Sequence, residues 1–338
     1  MLSGMSGLDA LLYGAAAAGI AFAAVILLMP RVIRSLAKAG SVVKDYHKPS
    51  RPAVPRPGGP VLMVGIAIAE IIVYLYTMNI AVVAVLLTTT IAFAVGYVDD
   101  IRVMPGWFKP VALLAAAVPL VIFQGHSDTL NLVFGAVTIP LLYIPLIFVV
   151  IPIAGNTINS IDVLNGVASG FVIISLIPLI ASIALFGNAP IFIASLPLVG
   201  ASVAFYKFHK YPSRIFPGDS GTLLMGAMYG ALAVAGRSEI IGVVALLPAV
   251  MNSFLFLASV KRIVEHRQVI RPIVLLENYR LAASKEKGAP ATLVRMILAD
   301  GPLGEKEIGT KIFKLAIFSA LLAFVTIFIQ YVSVGGGR

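Results

Sequence analysis

Runs of about 20 consecutive apolar residues follow one another along this chain with only short polar breaks, and that pattern leaves it few ways to fold. A helix of about 20 such residues crosses about 30 Å of hydrocarbon. Reading hydropathy with charges, Gly and Pro as boundaries places spans near 8–30, 59–78, 80–98, 110–124, 138–154, 167–186, 191–206, 220–236, 239–258 and 312–332. Composition agrees: 59% of the residues are hydrophobic, against roughly 45–50% in soluble domains, so no water-soluble fold could bury them all. The expected architecture is an all-α integral membrane protein, residues 1–338 forming one polytopic domain of about ten transmembrane helices. Within it 110–124 is short, and 125–140 reads as a re-entrant or interfacial piece. The segment from Leu8 to Met29 has no basic stretch before it and no small-residue cleavage site after it, and reads as a retained span rather than a signal peptide. No inverted internal repeat of the transporter kind is visible.

Charge supplies the orientation. Loops 31–58, 99–109, 155–166, 206–219 and 259–311, with Lys314 just beyond, hold 23 of the 25 Lys and Arg, leaving only Arg237 and Arg338 for the other side. The positive-inside rule then places these five loops in the cytosol and both termini on the non-cytosolic side. Juxtamembrane bases facing anionic lipid headgroups account for the net charge of +10, and no nucleic-acid partner is needed. The longest loop, 259–311, reads as a strand, a tight turn at Glu277-Asn278 and a second strand, then a short helix from Ala291 to Ala299 lying near the membrane. It is a candidate cytosolic lid.

The chain has no cysteine, and its four histidines (His47, His126, His209, His266) show no metal-binding spacing, so nothing points to zinc. The acids are more informative, because carboxylates are costly near lipid. Outside the 259–311 loop, Asp45, Asp99, Asp100, Asp162 and Asp219 each fall at or near the cytosolic end of a predicted helix. Asp99 and Asp100 are adjacent at a helix C-terminus, where both the macrodipole and their mutual repulsion call for a positive partner. Mg²⁺ with substrate phosphates would serve, and so would Arg102 and Lys109 in solvated headgroups. In Asn156-Thr157-Ile158-Asn159-Ser160-Ile161-Asp162-Val163-Leu164-Asn165, polar groups recur every third residue, which on a helix aims amides and a carboxylate at one ligand. Such oxygen donors suit a hard cation completed by substrate phosphates; capping and interhelical hydrogen bonds would explain one Asn better than four groups. Phe216-Pro217-Gly218-Asp219-Ser220-Gly221 precedes the eighth span, where Asp219 reads as a helix cap or as a ligand. Lys48-Pro49 through Gly58-Gly59-Pro60 is a basic loop, and His266, Arg267 and Arg271 are either phosphate-binding cations or ordinary positive-inside residues.

Taken in order, these segments resemble the polyprenyl-phosphate N-acetylhexosamine-1-phosphate transferases, a family of ten-span membrane enzymes. The resemblance covers nearly the whole chain: Asp45 and Lys48 followed by Val54-Pro55-x-x-Gly58-Gly59, the Asp99-Asp100 pair, Asn156-x-x-Asn159-x-x-Asp162, and Gly218-Asp219-x-Gly221. It implies transfer of a hexosamine-1-phosphate from a UDP-sugar donor to a polyprenyl or dolichyl phosphate, with UMP leaving. It also implies Mg²⁺, or Mn²⁺ in its place, at Asn156 and Asp219. Lys109 and Arg267 match cations that hold the pyrophosphate, and Asp99 and Asp100 would orient the lipid phosphate or assist the metal. Lys48, Asn156, Asn159, Asp162, Asn165, His266 and Arg271 would bind substrate, the 259–311 loop forming part of the sugar and pyrophosphate site. The cell-wall branch, which transfers phospho-muramoyl-pentapeptide, carries a histidine cluster in its last cytosolic loop and tends to have Asp-Gly where this chain has Asn165-Gly166. With only His266 before Arg267, this chain looks more like the eukaryotic and archaeal enzymes that begin dolichol-linked glycan assembly, which favours UDP-N-acetylglucosamine. A homodimer is compatible with the resemblance.

The competing class is a polytopic transporter or flippase. Transporters bind near the bilayer midplane, at broken helices, whereas here every candidate except Glu70 gathers at one surface. Glu70 reads as a protonated or paired interior carboxyl, or as part of a proton pathway, and Trp107 as an interfacial anchor.

Overall fold

A computed structural model describes residues 6–48, 50–261 and 269–335. In chain order its helices are α1 (Gly7–Lys38), α2 (Gly59–Thr77), α3 (Ile80–Ile101), α4 (Phe108–Ile122), α5 (Pro140–Ile161), α6 (Val167–Phe186), α7 (Ala189–His209), α8 (Gly218–Ala235), α9 (Glu239–Ala245), α10 (Leu247–Val260), α11 (Leu293–Ile297) and α12 (Glu305–Gly335). Three antiparallel hairpins interrupt them: β1 (Val42–Lys44) with β2 (Ala53–Pro55), β3 (Thr129–Leu132) with β4 (Gly135–Thr138), and β5 (Ile273–Leu275) with β6 (Leu281–Ala283).

Among the described residues, seven helices are long and apolar enough to cross a membrane (α1, α2, α3, α5, α6, α7 and α12). The pair α9 and α10, bent by 71°, makes an eighth if it counts as one span. Each of the ten expected segments contains helix, but two fall outside this count for different reasons. Helix α4 has only 15 residues. Helix α8 opens on Gly218-Asp219-Ser220-Gly221-Thr222, small and polar residues that dilute its apolar character.

Two boundaries differ from expectation. Helix α1 continues to Lys38 instead of stopping near residue 30, because its added residues alternate bases with Leu36 and Ala37 and contain no breaker. Helix α5 runs to Ile161, so Asn156 and Asn159 belong to its final turns and not to a loop. Residues 125–140, expected as a re-entrant or interfacial piece, carry the β3–β4 hairpin, with Thr129 paired to Thr138 and Gly135 at φ +148° opening the return strand. Three helix starts are set locally: Ser6 and Asp9 form a reciprocal capping box for α1, and Asn79 and Asn188 accept backbone N–H bonds at the starts of α3 and α7.

The centre of the bundle is α8, whose residues are all buried except Asp219 and which packs against α2, α3, α5, α6 and α7. Helices in lipid gain little from burying apolar surface against each other, so close backbone approach through small residues holds them together. A side chain at Gly96 of α3 would fall on the Asp219 carbonyl, and one at Gly226 of α8 would meet the Ala154 carbonyl and Gly155 of α5. These contacts leave the start of α8 beside the end of α3.

Candidate functional site

The start of α8 is capped from another helix. Asp100 Oδ1 accepts the Asp219 N–H at 2.9 Å, and its Oδ2 accepts the Ser220 N–H at 2.9 Å and the Ser220 hydroxyl at 2.6 Å. These are orphan donors of a helix N-terminus, and a carboxylate there also meets the positive end of the macrodipole. Gly218, at φ +72°, lies so close beneath that an added Cβ would sit 2.7 Å from either Asp100 oxygen, which is why glycine precedes the aspartate. The loop before α8 is also zipped to the loop before α2. The Phe216 N–H donates to Pro55, and the Gly58 and Gly59 N–H groups donate to Phe216 and Pro217 at 2.9 and 3.0 Å. Asp100, its side chain fully buried, thus fixes the α8 start and has little capacity left for a ligand.

Asp219 is pinned at both oxygens by cations. Lys109 donates to Oδ1 at 2.9 Å and Arg56 to Oδ2 at 3.0 Å. Lys109 also pairs with Asp99 Oδ2 at 3.2 Å, and Arg56 donates to Asp100 Oδ1 at 2.7 Å. Burial alone would lower the Arg56 pKa, but Asp100 and then Asp219 overrule it and raise it, so the guanidinium stays charged. Asn159 approaches Asp219 from α5, its Oδ1 also accepting from the Thr222 hydroxyl at 2.8 Å. Asp162, just past the end of α5, is pushed up to about 7, first by burial and then by Asp219, against the pull of Arg56. Behind it lies His209, with Nε2 3.6 Å from Asp162 Oδ1 and Nδ1 2.8 Å from the Ser169 hydroxyl.

A cavity of about 830 Å³ opens here, its walls including Arg56, Asp99, Lys109, Asn159, Asp162 and Asp219. Tyr46, His47, Arg51, Arg271 and the β5 strand complete it on the extramembrane side. The Arg51 and Arg271 guanidiniums lie 5.9 and 5.7 Å from the Tyr46 ring centroid, cations at the mouth stacked on one aromatic. Burial lowers the pKa of His47, with Glu305 and Asp45 opposing it.

Of the expected site residues, the structure brings Asp99, Lys109, Asn159, Asp162, Asn165, Asp219 and Arg271 to this one cavity. It leaves three apart, the first of them Asp100, which is spent on the start of α8 and is not part of the cavity wall. The Asn156 amide donates to its own helix at the Pro152 carbonyl, 2.9 Å away, and Asn156 is not part of the cavity wall, so Asn159 is the amide beside Asp219. Lys48 lies behind the wall and is fully engaged: it pairs with Asp45, donates to Asn165 Oδ1 at 2.8 Å and reaches Glu305 Oε2 at 3.2 Å. His266 and Arg267 lie outside the described residues. Sequence reasoning missed Arg56, Glu305 and Asn252. Asn252 sits in α10, donates to the Ser160 carbonyl at 3.0 Å and accepts the Leu293 N–H at 2.8 Å, pinning α11 against the end of α5. An Asn inside an otherwise apolar span was the available signal.

Asp99, Asn159, Asp162 and Asp219 bring hard oxygen donors to the cavity wall, and both oxygens of Asp219 already attract positive charge. Among the described residues no three Asp, Glu, His or Cys side chains converge to cage an ion by themselves. A divalent ion here would therefore take one or two protein oxygens and complete its shell with phosphate and water, as Mg²⁺ commonly does.

Residues 82–237 match glycosyl transferase family 4. A relative from Saccharolobus solfataricus, provisionally named UDP-N-acetylglucosamine–dolichyl-phosphate N-acetylglucosaminephosphotransferase, is 32% identical over 61% of this chain and 66% of its own length. A phospho-N-acetylmuramoyl-pentapeptide-transferase from Caldicellulosiruptor bescii is 31% identical over 66% of this chain and 74% of its own length. Another such transferase, from Staphylococcus carnosus, is 27% identical over 65% and 76%. The chain spans about two thirds of the length of the first of these relatives.

Proposed function

We propose that this chain, which belongs to glycosyl transferase family 4, transfers a hexosamine-1-phosphate from a UDP-hexosamine to a polyprenyl phosphate at the membrane surface. An oxygen of the lipid phosphate forms a bond to the phosphorus that carries the sugar, the pyrophosphate bond breaks, and UMP leaves. The observation that carries this reading is the meeting of Asp99, Lys109, Asn159 and Asp219, from four different helices, around one cavity at the ends of the bundle. A transporter would place its site near the midplane.

Phosphoryl transfer is mainly alignment and charge stabilisation, which is what these groups supply. Bound Mg²⁺, or Mn²⁺ in its place, would offset pyrophosphate charge from a position held by Asp219 and Asn159. Lys109, with one proton not committed to Asp99 or Asp219, is placed to donate to a pyrophosphate oxygen. Arg56 keeps Asp219 aimed into the cavity while itself anchored on Asp100. The second pKa of a phosphate monoester is near 6, so the acceptor is largely dianionic at pH 7 and no strong base is required.

N-acetylglucosamine as the sugar and dolichyl phosphate as the acceptor follow from the names of the archaeal relatives and from the single His266-Arg267 pair. Phospho-muramoyl-pentapeptide transfer is the second reading, favoured by relatives of that name at similar identity. The loop charge asymmetry supports a cytosolic site with both termini opposite. The test is exchange: purified protein with labelled UMP, UDP-N-acetylglucosamine, Mg²⁺ and a polyprenyl phosphate should move label into the nucleotide sugar. Asp219→Ala should abolish that exchange. Exchange that survives in Asp219→Ala at saturating Mg²⁺ would remove the residue from the centre of the site.

A further inference from the structure

We propose that Glu305 is a positioning residue that ties the β5–β6 hairpin to the donor side of the cavity wall; the inference rests on the transferase reading above. Glu305 is the first residue of α12 and only 9% exposed. One carboxylate oxygen, Oε1, accepts the Asn165 N–H at 2.9 Å, and the other, Oε2, accepts from Lys48 at 3.2 Å. Neither Glu305 nor Lys48 forms the cavity wall, but Asp45 and Asn165, which they hold, both do. Asn165 is fixed from every side: its amide nitrogen donates to Asp45 at 3.1 Å, and its oxygen accepts from Lys48 at 2.8 Å and from the Ser213 N–H at 2.6 Å.

The link to the hairpin is backbone. Leu281 of β6 and Leu303 exchange both hydrogen bonds, at 2.8 and 3.0 Å, and Leu303 is two residues before Glu305. On the other strand, Ile273, Val274 and Leu275 line the cavity. A shift of the hairpin is therefore handed through Leu303 to Glu305, and from there to Asn165 and Lys48. A buried carboxylate with two charge-assisted or backbone bonds is a rigid coupling, because leaving either partner unpaired is costly. Asn165, Lys48 and the hairpin, which Glu305 joins from the start of α12, lie in loops and strands between the membrane spans, where a water-soluble nucleotide sugar arrives, while a lipid phosphate stays at the bilayer. Glu305 thus sets the fit of the donor and not of the acceptor.

The experiment compares wild type with Glu305→Gln, which keeps an acceptor for Asn165 but drops the charge facing Lys48, and with Glu305→Ala. KM for UDP-N-acetylglucosamine should rise about ten-fold in Glu305→Ala and less in Glu305→Gln, with kcat and KM for polyprenyl phosphate within about two-fold. A role in general stability would instead move all three parameters together with Tm, and an unchanged donor KM in folded Glu305→Ala would overturn the proposal. Backbone amide exchange gives an arm independent of turnover: the amides of Asn165 and Leu281 should exchange faster together in Glu305→Ala. If Asn165 loosens while Leu281 does not, the hairpin coupling is refuted. If wild type moves no sugar phosphate, the transferase reading fails, and the paired exchange at Asn165 and Leu281 still decides whether Glu305 joins the two.

Discussion

Two lysines in this protein each sit between two carboxylates, Lys109 between Asp99 and Asp219 and Lys48 between Asp45 and Glu305, yet their surroundings give them opposite work. An ammonium has three protons. Lys48 commits all three, the third to Asn165, with its side chain 10% exposed and the Tyr211 ring 4.7 Å away. Lys109 commits two and faces the cavity with 19% of its side chain exposed. The first pattern is a closed brace, where charge is neutralised to hold a wall in place. The second is an open one, where charge is kept in reserve for a ligand that brings its own negative charge. Residue type and flanking acids do not separate these cases; the count of satisfied donors does.

Replacing each lysine by methionine breaks the comparison most directly. Lys109→Met should cut turnover about 10²–10³-fold, the usual cost of removing one donor that stabilises transition-state charge, while the melting temperature falls less than in Lys48→Met because Arg56 still pairs with Asp219 and Asp99 keeps the Met104 N–H. Lys48→Met leaves Asp45 and Glu305 buried without their cation, and should cost about 3–5 kcal/mol of stability, read as a lower melting temperature. Equal effects of the two substitutions on turnover and on melting would erase the distinction between brace and reserve.

A smaller effect sharpens the contrast on one helix face. Asn156 and Asn159 are three residues apart, about 60° around α5, so periodicity assigns both to one ligand. Only Asn159 stands beside Asp219. The Mg²⁺ concentration for half-maximal activity should rise about ten-fold in Asn159→Leu and stay within about two-fold in Asn156→Leu. The reverse order, measured by Mg²⁺ titration of the exchange reaction, would return the metal role to Asn156.

The same asymmetry explains what was legible in the sequence. Apolar run length located the helical segments, because lipid imposes that constraint locally along the chain. The Val54-Pro55-x-x-Gly58-Gly59 and Phe216-Pro217-Gly218-Asp219 segments read as separate loops in the sequence; their glycines and prolines matter because the two loops bond to each other. Arg56 was hidden as one base among several in a loop, and its meaning comes from Asp100 and Asp219, 44 and 163 residues away in sequence. Glu305, 257 residues from Lys48, was out of reach of any spacing argument. Local pattern reveals which side chains are dear to bury, and only the fold reveals which of them satisfy each other.

Asp162 offers the finest test, because it belongs to the open cluster but has no strong cation of its own. Burial, then Asp219, push it up to about 7 despite Arg56, whereas a carboxyl in the unfolded chain titrates near 3.9. The folded protein therefore binds this proton more tightly than the unfolded chain does. Its contribution to stability is intact below about pH 4 and is lost progressively as pH rises through about 7. Asp162→Asn, neutral at every pH, should then melt above wild type at pH 8 in EDTA, and the difference should shrink steadily as the pH is lowered toward 4. A difference that stays constant across that range would mean that Asp162 is no more strained in the fold than in water. In that case the open cluster would be as fully compensated as the closed one.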